Sequence, residues 1–259
     1  MAYTTINKSS LNFNTVLFTG NSTSRNITGV GFQPDFTWIK SRSQARDNVT
    51  LNSVVSGWTS PNNTYVNNTD SAYAYTPISD GFTIGTANDV NGNAYSQCAW
   101  NWKAGGTASS NTNGTINSTV SANTTAGFSI VKWTGNRSQT QTIGHGLGSI
   151  PKMIIIKNLS VGQGWTVYSS EIGANERLVL NNDSAKGTCT ACFGNTRPTS
   201  SVFTVGDDAD TNGTGNAMIA YCFSDVQGYS KMGSYIGNNN ANGAFIYTGF
   251  KPAFVIIKR

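Results

Sequence analysis

The sequence predicts an all-β protein of tandem β-sandwich units, jelly-roll-like, with a partial third repeat at its C-terminal end. Three observations carry this. Only 11% of the 259 residues are charged and 37% are hydrophobic, so the polar surface falls to Asn, Ser, Thr and Gly, which suit short strands and turns rather than charge-laced helices. Three segments repeat one order of aromatic strand, Gly-Asn turn, Gly-rich corner, proline and apolar strand. No stretch has the spacing of an amphipathic helix; the nearest, residues 167–180, contains Gly173 and β-branched residues and reads as strand and loop.

Taken in order, the first segment opens with Phe18-Thr19-Gly20-Asn21 and runs through Gly31, Phe32 and Pro34 to Phe36-Thr37-Trp38-Ile39-Lys40. The second has Trp133-Thr134-Gly135-Asn136, then Gly146, Gly148 and Pro151, then Met153-Ile154-Ile155-Ile156-Lys157. The third has Tyr235-Ile236-Gly237-Asn238, then Gly249, Phe250 and Pro252, then Phe254-Val255-Ile256-Ile257-Lys258. From Pro34 to Pro151 is 117 positions and from Pro151 to Pro252 is 101, a small domain's length each time. Gly and Asn tolerate the positive φ of a turn, and proline suits the first residue of a strand, where no ladder donor is lost. Each strand after the proline is apolar on consecutive positions, which predicts a central strand covered on both faces, with Lys40, Lys157 and Lys258 closing it at the surface.

The downstream halves of the first two units also match, Asp80-Gly81-Phe82-Thr83-Ile84 with Ser201-Val202-Phe203-Thr204-Val205. Each is followed by an Asn-Gly turn and a further strand, over residues 94–100 and 217–223. The organisation is therefore 1–106 as unit one, 107–126 as a Thr/Ser/Asn/Gly-rich linker or low-complexity surface strand, 127–228 as unit two and 229–259 as the partial third repeat. The apolar strand of that last segment must find cover, from unit two, from another subunit or from a longer chain.

Function classes narrow from the same residues. The 17 basic side chains outnumber the 12 acidic ones but are scattered, so no nucleic-acid patch forms. No apolar run approaches the ~20 residues of a membrane span, and residues 1–11 lack a signal-peptide core, which predicts a soluble, non-exported chain with no membrane insertion. A single histidine, His145, and two glutamates, Glu171 and Glu176, leave little for general acid–base work, so the chain reads as no enzyme. His145 between two glycines reads as a locally bonded turn residue. Sequons such as Asn21 and Asn62 are what chance supplies in so much Asn, Ser and Thr.

Two sites are candidates. Asp207, Asp208 and Asp210 open a stretch like a calcium loop, with oxygens at alternate positions and Gly213 at the turn, although Ile219 stands where an EF-hand needs Glu; a polar hairpin is the competing reading. Trp58, Tyr65, Tyr73, Tyr75, Trp165 and Tyr168 lie among amides and hydroxyls, where aromatic faces stack on sugars, against the competing reading of core filling. Apart from that calcium loop, no cofactor is expected. Of Cys98, Cys189, Cys192 and Cys222, the C-x-x-C pair leaves free thiols, a disulfide or zinc open, and zinc lacks further ligands nearby in sequence.

The motifs GFQPDFTWIK at residues 31–40, AWNWKAGG at 99–106, GFSIVKWTGN at 127–136, GHGLGSIPKMIIIKN at 144–158, YCFSDVQGYSKMGSYIGN at 221–238 and YTGFKPAFVIIK at 247–258 carry a resemblance. In their order they resemble tandem-repeat tail-fibre and virion structural proteins of tailed, especially marine, bacteriophages, built from a domain of unknown function. The resemblance covers nearly the whole chain and implies a non-enzymatic structural protein of an exterior virion appendage, made in the host cytoplasm and serving host attachment or virion assembly. The expected partners are other virion proteins and further copies of the chain, a trimer first. Similar proteins continue past the last motif, whereas this chain stops at Arg259, so the expectation is a longer protein, with completion by another subunit as the alternative. A carbohydrate-binding module or cell-surface adhesin, recognising a host-surface glycan, is the second functional reading.

Overall fold

A computed structural model describes residues 4–258; residues 1–3 of the N-terminal stretch and Arg259 lie outside them. Strand accounts for 35% of the chain and helix for 5%, in several antiparallel sheets. Unit one contains β1 (Phe13–Thr19), β2 (Arg25–Thr28), β3 (Phe36–Ser41), β4 (Val49–Asn52), β5 (Trp58–Thr59), β6 (Tyr75–Ile78), β7 (Gly81–Ile84), the single-turn α1 (Asn88–Asn91) and β8 (Ser96–Trp102). Its large sheet has the order β1-β8-β3-β4-β5 and its small sheet β2-β7-β6. The jelly-roll likeness lies in the eight strands and in the last one returning between β1 and β3; the split is five and three because β4 and β5 follow β3 within one sheet.

Next come β9 (Ser109–Asn111) and β10 (Ser118–Asn123), then unit two: β11 (Phe128–Thr134), β12 (Gln141–Gly144), β13 (Met153–Asn158), β14 (Trp165–Ser169), β15 (Glu176–Val179), β16 (Gly187–Thr188), β17 (Val202–Val205), α2 (Ala209–Asn212) and β18 (Ala217–Phe223). The order β11-β18-β13-β14-β15 restates the large sheet of unit one, and β12-β17 restates β2-β7. Register agrees as well as order. Phe13 and Phe36 flank Trp102 in the ladder as Phe128 and Met153 flank Phe223.

Local chemistry sets the shared corners. Gly29 and Gly31 have φ of 87° and 84°, and Gly146 and Gly148 have 72° and 69°, the left-handed region that glycine enters without steric cost. Pro34 and Pro151, both buried, follow three residues after the second glycine of each corner and lead into β3 and β13. The Gly-Asn turns need glycine for a different reason: a Cβ on Gly20 would meet the Gly92 carbonyl oxygen at 2.1 Å, and one on Gly135 would meet that of Gly213 at 2.3 Å. The fully buried Asn91 holds the first turn by donating to the carbonyls of Gly85 and Thr23 while accepting from Asn21 N. Asn212 does the same for the second with Gly206, Ser138 and Asn136.

The two large sheets pack against each other, so the layers run small sheet, large sheet, large sheet, small sheet. Phe36 and Trp102 of unit one share a core with Phe128, Ile155, Trp165 and Tyr221 of unit two, and the Phe36 and Tyr221 rings lie 4.3 Å apart. On the outer faces, Ile39, Leu51 and Ala99 meet Ile27 and Phe82 in unit one, and Ile154, Ile156 and Ala220 meet Ile143 and Phe203 in unit two. Strands β3 and β13 are therefore covered on both faces, which is why their apolar residues are consecutive. Residues 167–180 are β14, β15 and loop, as their composition predicts.

One expectation left open is decided and two are corrected. Of the two readings of residues 107–126, strand holds over flexible linker: they carry the hairpin β9–β10, added to the edge of the unit two sheet through pairs such as Val120↔Val131; Val120, Ser118 and Ser121 are buried there, and this burial, invisible in so polar a composition, orders the segment. Lys157 does not close β13 at the surface but is fully buried, its ammonium donating to the carbonyls of Gln163 (2.6 Å) and Thr64 (3.1 Å). Phe254-Val255-Ile256-Ile257 is not a strand, and Val255 and Ile257 are more than 60% exposed.

Candidate functional site

The third segment fails to form its strand for a reason visible in units one and two. There the first and third strands do not bond to each other; each bonds to the strand that returns between them, β8 or β18. Residues 233–258 carry counterparts of the first and third strands, and among the described residues no returning strand lies between them. What forms is local. Gly249 has φ of 80°, three residues before Pro252, the same corner as Gly31 before Pro34 and Gly148 before Pro151.

This segment lies along an opening of about 1230 Å³ where the two large sheets meet. The Phe254 ring anchors it, with its centroid 5.2 Å from Trp102, 5.5 Å from Trp100 and 5.9 Å from Phe13. Ser234 Oγ donates to Glu171 Oε2 and Lys258 Nζ to the Ser184 carbonyl. Several of its other apolar side chains face solvent: Ile236 is 91% exposed, Phe245 88% and Tyr247 75%. Together with Val255 and Ile257 they make an apolar surface of a kind that marks interaction sites.

A second cluster lies in unit two. Cys189 and Cys192 are joined as a disulfide across a turn in which Cys192 N donates to the Cys189 carbonyl, while Cys98 and Cys222 are free and buried. Burial pushes the Cys222 thiol up to about 12. Asp208 caps α2, its Oδ1 accepting from Asp210 N (2.9 Å) and Thr211 N (3.2 Å), while its Oδ2 stands 3.8 Å from Cys189 Sγ. Arg177 reaches across from β15 to Asp210 at 2.5 Å and lies 3.5 Å from Cys192 Sγ.

The sequence-predicted sites fare differently. Asp207, Asp208 and Asp210 do not converge as a calcium loop: Asp207 pairs with Arg137 at 2.8 Å, Asp208 turns inward as a cap and Asp210 pairs with Arg177. Nor do the six aromatics form a sugar platform. Trp58, Trp165 and Tyr168 are buried; Tyr73 stacks on Trp58 at 4.2 Å; Tyr75 bonds Thr37 and the Pro34 carbonyl; only Tyr65 is exposed. Cross-strand partners decide this, because each sits on a strand or turn whose facing layer lies far away in sequence. His145 is the local turn residue expected, its Nδ1 accepting from Leu147 N and its Nε2–H donating to the Thr199 carbonyl, and burial lowers its pKa. Sequence reading missed Arg177 and the buried Asp35, which accepts from Ser53 Oγ, Ala104 N and Gly106 N. Nothing local distinguishes either from a solvated charge.

A family model matches residues 8–259, so that both units and the third segment fall within one domain. The chain belongs to the DUF7483 family, a domain of unknown function. No curated protein and no solved structure matches it. Among the described residues no helix is long and apolar enough to cross a membrane.

Proposed function

We propose that this DUF7483 chain is a non-enzymatic structural subunit of a tailed-bacteriophage virion, in an exterior appendage such as a tail fibre, and that it assembles with further copies and with other virion proteins through its third segment. The observation that carries the assembly reading is the exposure of apolar side chains on a segment with a strand-like sequence but no strand, Ile236, Phe245, Tyr247, Val255 and Ile257 standing in solvent. Unpaired strands with apolar side chains associate by strand addition. The virion setting rests on the resemblance of the repeat motifs. The non-enzymatic reading is supported by the occupation of the conspicuous ionisable groups in structural bonds: Asp35 on backbone N–H groups, Lys157 on carbonyls, His145 within its turn.

Light scattering on the full chain tests this. The expected result is an oligomer, a trimer first, that dissociates when Phe245, Tyr247 and Val255 are replaced by Ser while thermal unfolding of the two units is unchanged. A monomer at micromolar concentration, or an oligomer indifferent to those replacements, overturns it. Mass spectrometry and antibody labelling of phage particles test the virion setting separately.

A further inference from the structure

We propose that the Cys189–Cys192 turn of unit two, once reduced, joins Asp208 in binding a thiophilic divalent metal ion of the zinc class. The ligand atoms are already gathered. The two sulfurs and a carboxylate oxygen of Asp208 lie within 4.8 Å of one another, and Asp208 Oδ2 is 3.8 Å from Cys189 Sγ. In a tetrahedral site with arms of about 2.0–2.3 Å, neighbouring ligand atoms stand roughly 3.5–3.8 Å apart, so the Asp208–Cys189 distance already fits, while the sulfurs, now bonded to each other, have to separate.

The division of labour at Asp208 supports the assignment. Oδ1 is committed to the backbone N–H groups of Asp210 and Thr211, which hold the carboxylate in place, and Oδ2 is turned toward the sulfurs. Two thiolates and a carboxylate in one place call for a cation, and the nearby Arg177 is already paired with Asp210. Cys189 is half-buried beside the exposed Thr188 and Thr190, which leaves an entrance for an ion and a fourth position for water. Unit one has nothing comparable among the described residues: Ala87 is the capping residue of α1, where unit two has Asp208.

The chemistry balances with a phosphine as reductant. One phosphine and one water convert the disulfide to two thiols and leave a phosphine oxide; metal binding then replaces both thiol protons, which pass to solvent.

The test is a titration of the full chain with Co²⁺, with and without prior phosphine reduction. The reduced chain is expected to take up one equivalent with the visible absorption of tetrahedral cobalt–thiolate, displaced by Zn²⁺, and the oxidised chain to show none. Asp208→Asn keeps a competent helix cap, since Asn caps as well as Asp, and is expected to weaken Co²⁺ binding by roughly tenfold or more. A Cys98→Ser/Cys222→Ser variant should titrate as wild type. No cobalt–thiolate absorption in the reduced chain, the same absorption after Cys189→Ser, or unaltered affinity in folded Asp208→Asn would each overturn the proposal. Circular dichroism establishes that each variant is folded.

Discussion

At three matched positions the two units use one backbone geometry for different chemistry. In unit one, Trp58 on β5 stacks against Tyr73, and Tyr73 donates its hydroxyl to Asp89 in α1. The ladder registers place Arg177 of β15 where Trp58 stands, and α2 places Asp210 where Asp89 stands. Cys192 takes the role of Tyr73, and Arg177 spans Cys192 and Asp210. One unit closes the end of its sandwich with an aromatic stack, the other with a disulfide turn and an ion pair. The repeat thus keeps the ladder and the corners, which every strand depends on, while the sandwich end changes chemistry and remains closed.

The equivalence of the cores can be broken most severely at Phe82 and Phe203, matched residues of β7 and β17 and both fully buried. Each Phe→Ala change should cost about 3–5 kcal/mol, and the two losses should agree within about 1 kcal/mol in denaturant unfolding. A large inequality would show that the units share topology without sharing core packing.

A smaller effect of opposite sign is expected at Gln97. Its amide is fully buried and finds no protein partner, and neither does the Ser41 hydroxyl on the neighbouring strand. Unit two has Met218 and Asn158 at these places, and Asn158 donates to the Ala209 carbonyl. Replacing Gln97 by Met should therefore raise stability by about 1 kcal/mol, because an unpaired buried amide is removed. A drop in melting temperature would mean that the Gln97 amide is satisfied in a way unit two does not share.

The smallest effect concerns pH and belongs to unit two, which holds the sole histidine. Burial lowers the His145 pKa from its ordinary 6.5, so as pH falls the unfolded chain takes up the proton first. Stability should decline as pH drops below about 6.5 and level off below the folded-state pKa. His145→Gln, which keeps a donor and an acceptor, should remove that part of the slope, and a melting-temperature series across this range measures it.

Much of the fold was legible because it is written locally. Gly31, Gly148 and Gly249 adopt positive φ ahead of Pro34, Pro151 and Pro252 whether or not a sheet follows. The consecutive apolar residues of β3 and β13 announced cover on two faces, and both have it. The candidate sites were less legible. Trp165 and Tyr168 stayed open between sugar contact and core filling because what buries them is distant in sequence, the Ser60 carbonyl of unit one accepting from the Trp165 indole and Phe193 packing on Tyr168; Cys189–Cys192 lacked a visible third partner because Asp208 arrives from the far side of β17.

The turns, the corners, the duplicated strand order and the all-β class could be read from the chain alone, since each depends on φ preference and on the run of apolar residues within a few positions. Which strands exist, which charges are buried and which sulfurs meet a carboxylate depend on contacts between segments distant in the chain. The third segment makes the reason plain: residues 254–257 have the pattern of β3 and β13 but no returning strand between them and their neighbour, and a strand is a property of its hydrogen-bonded partners as much as of its own residues.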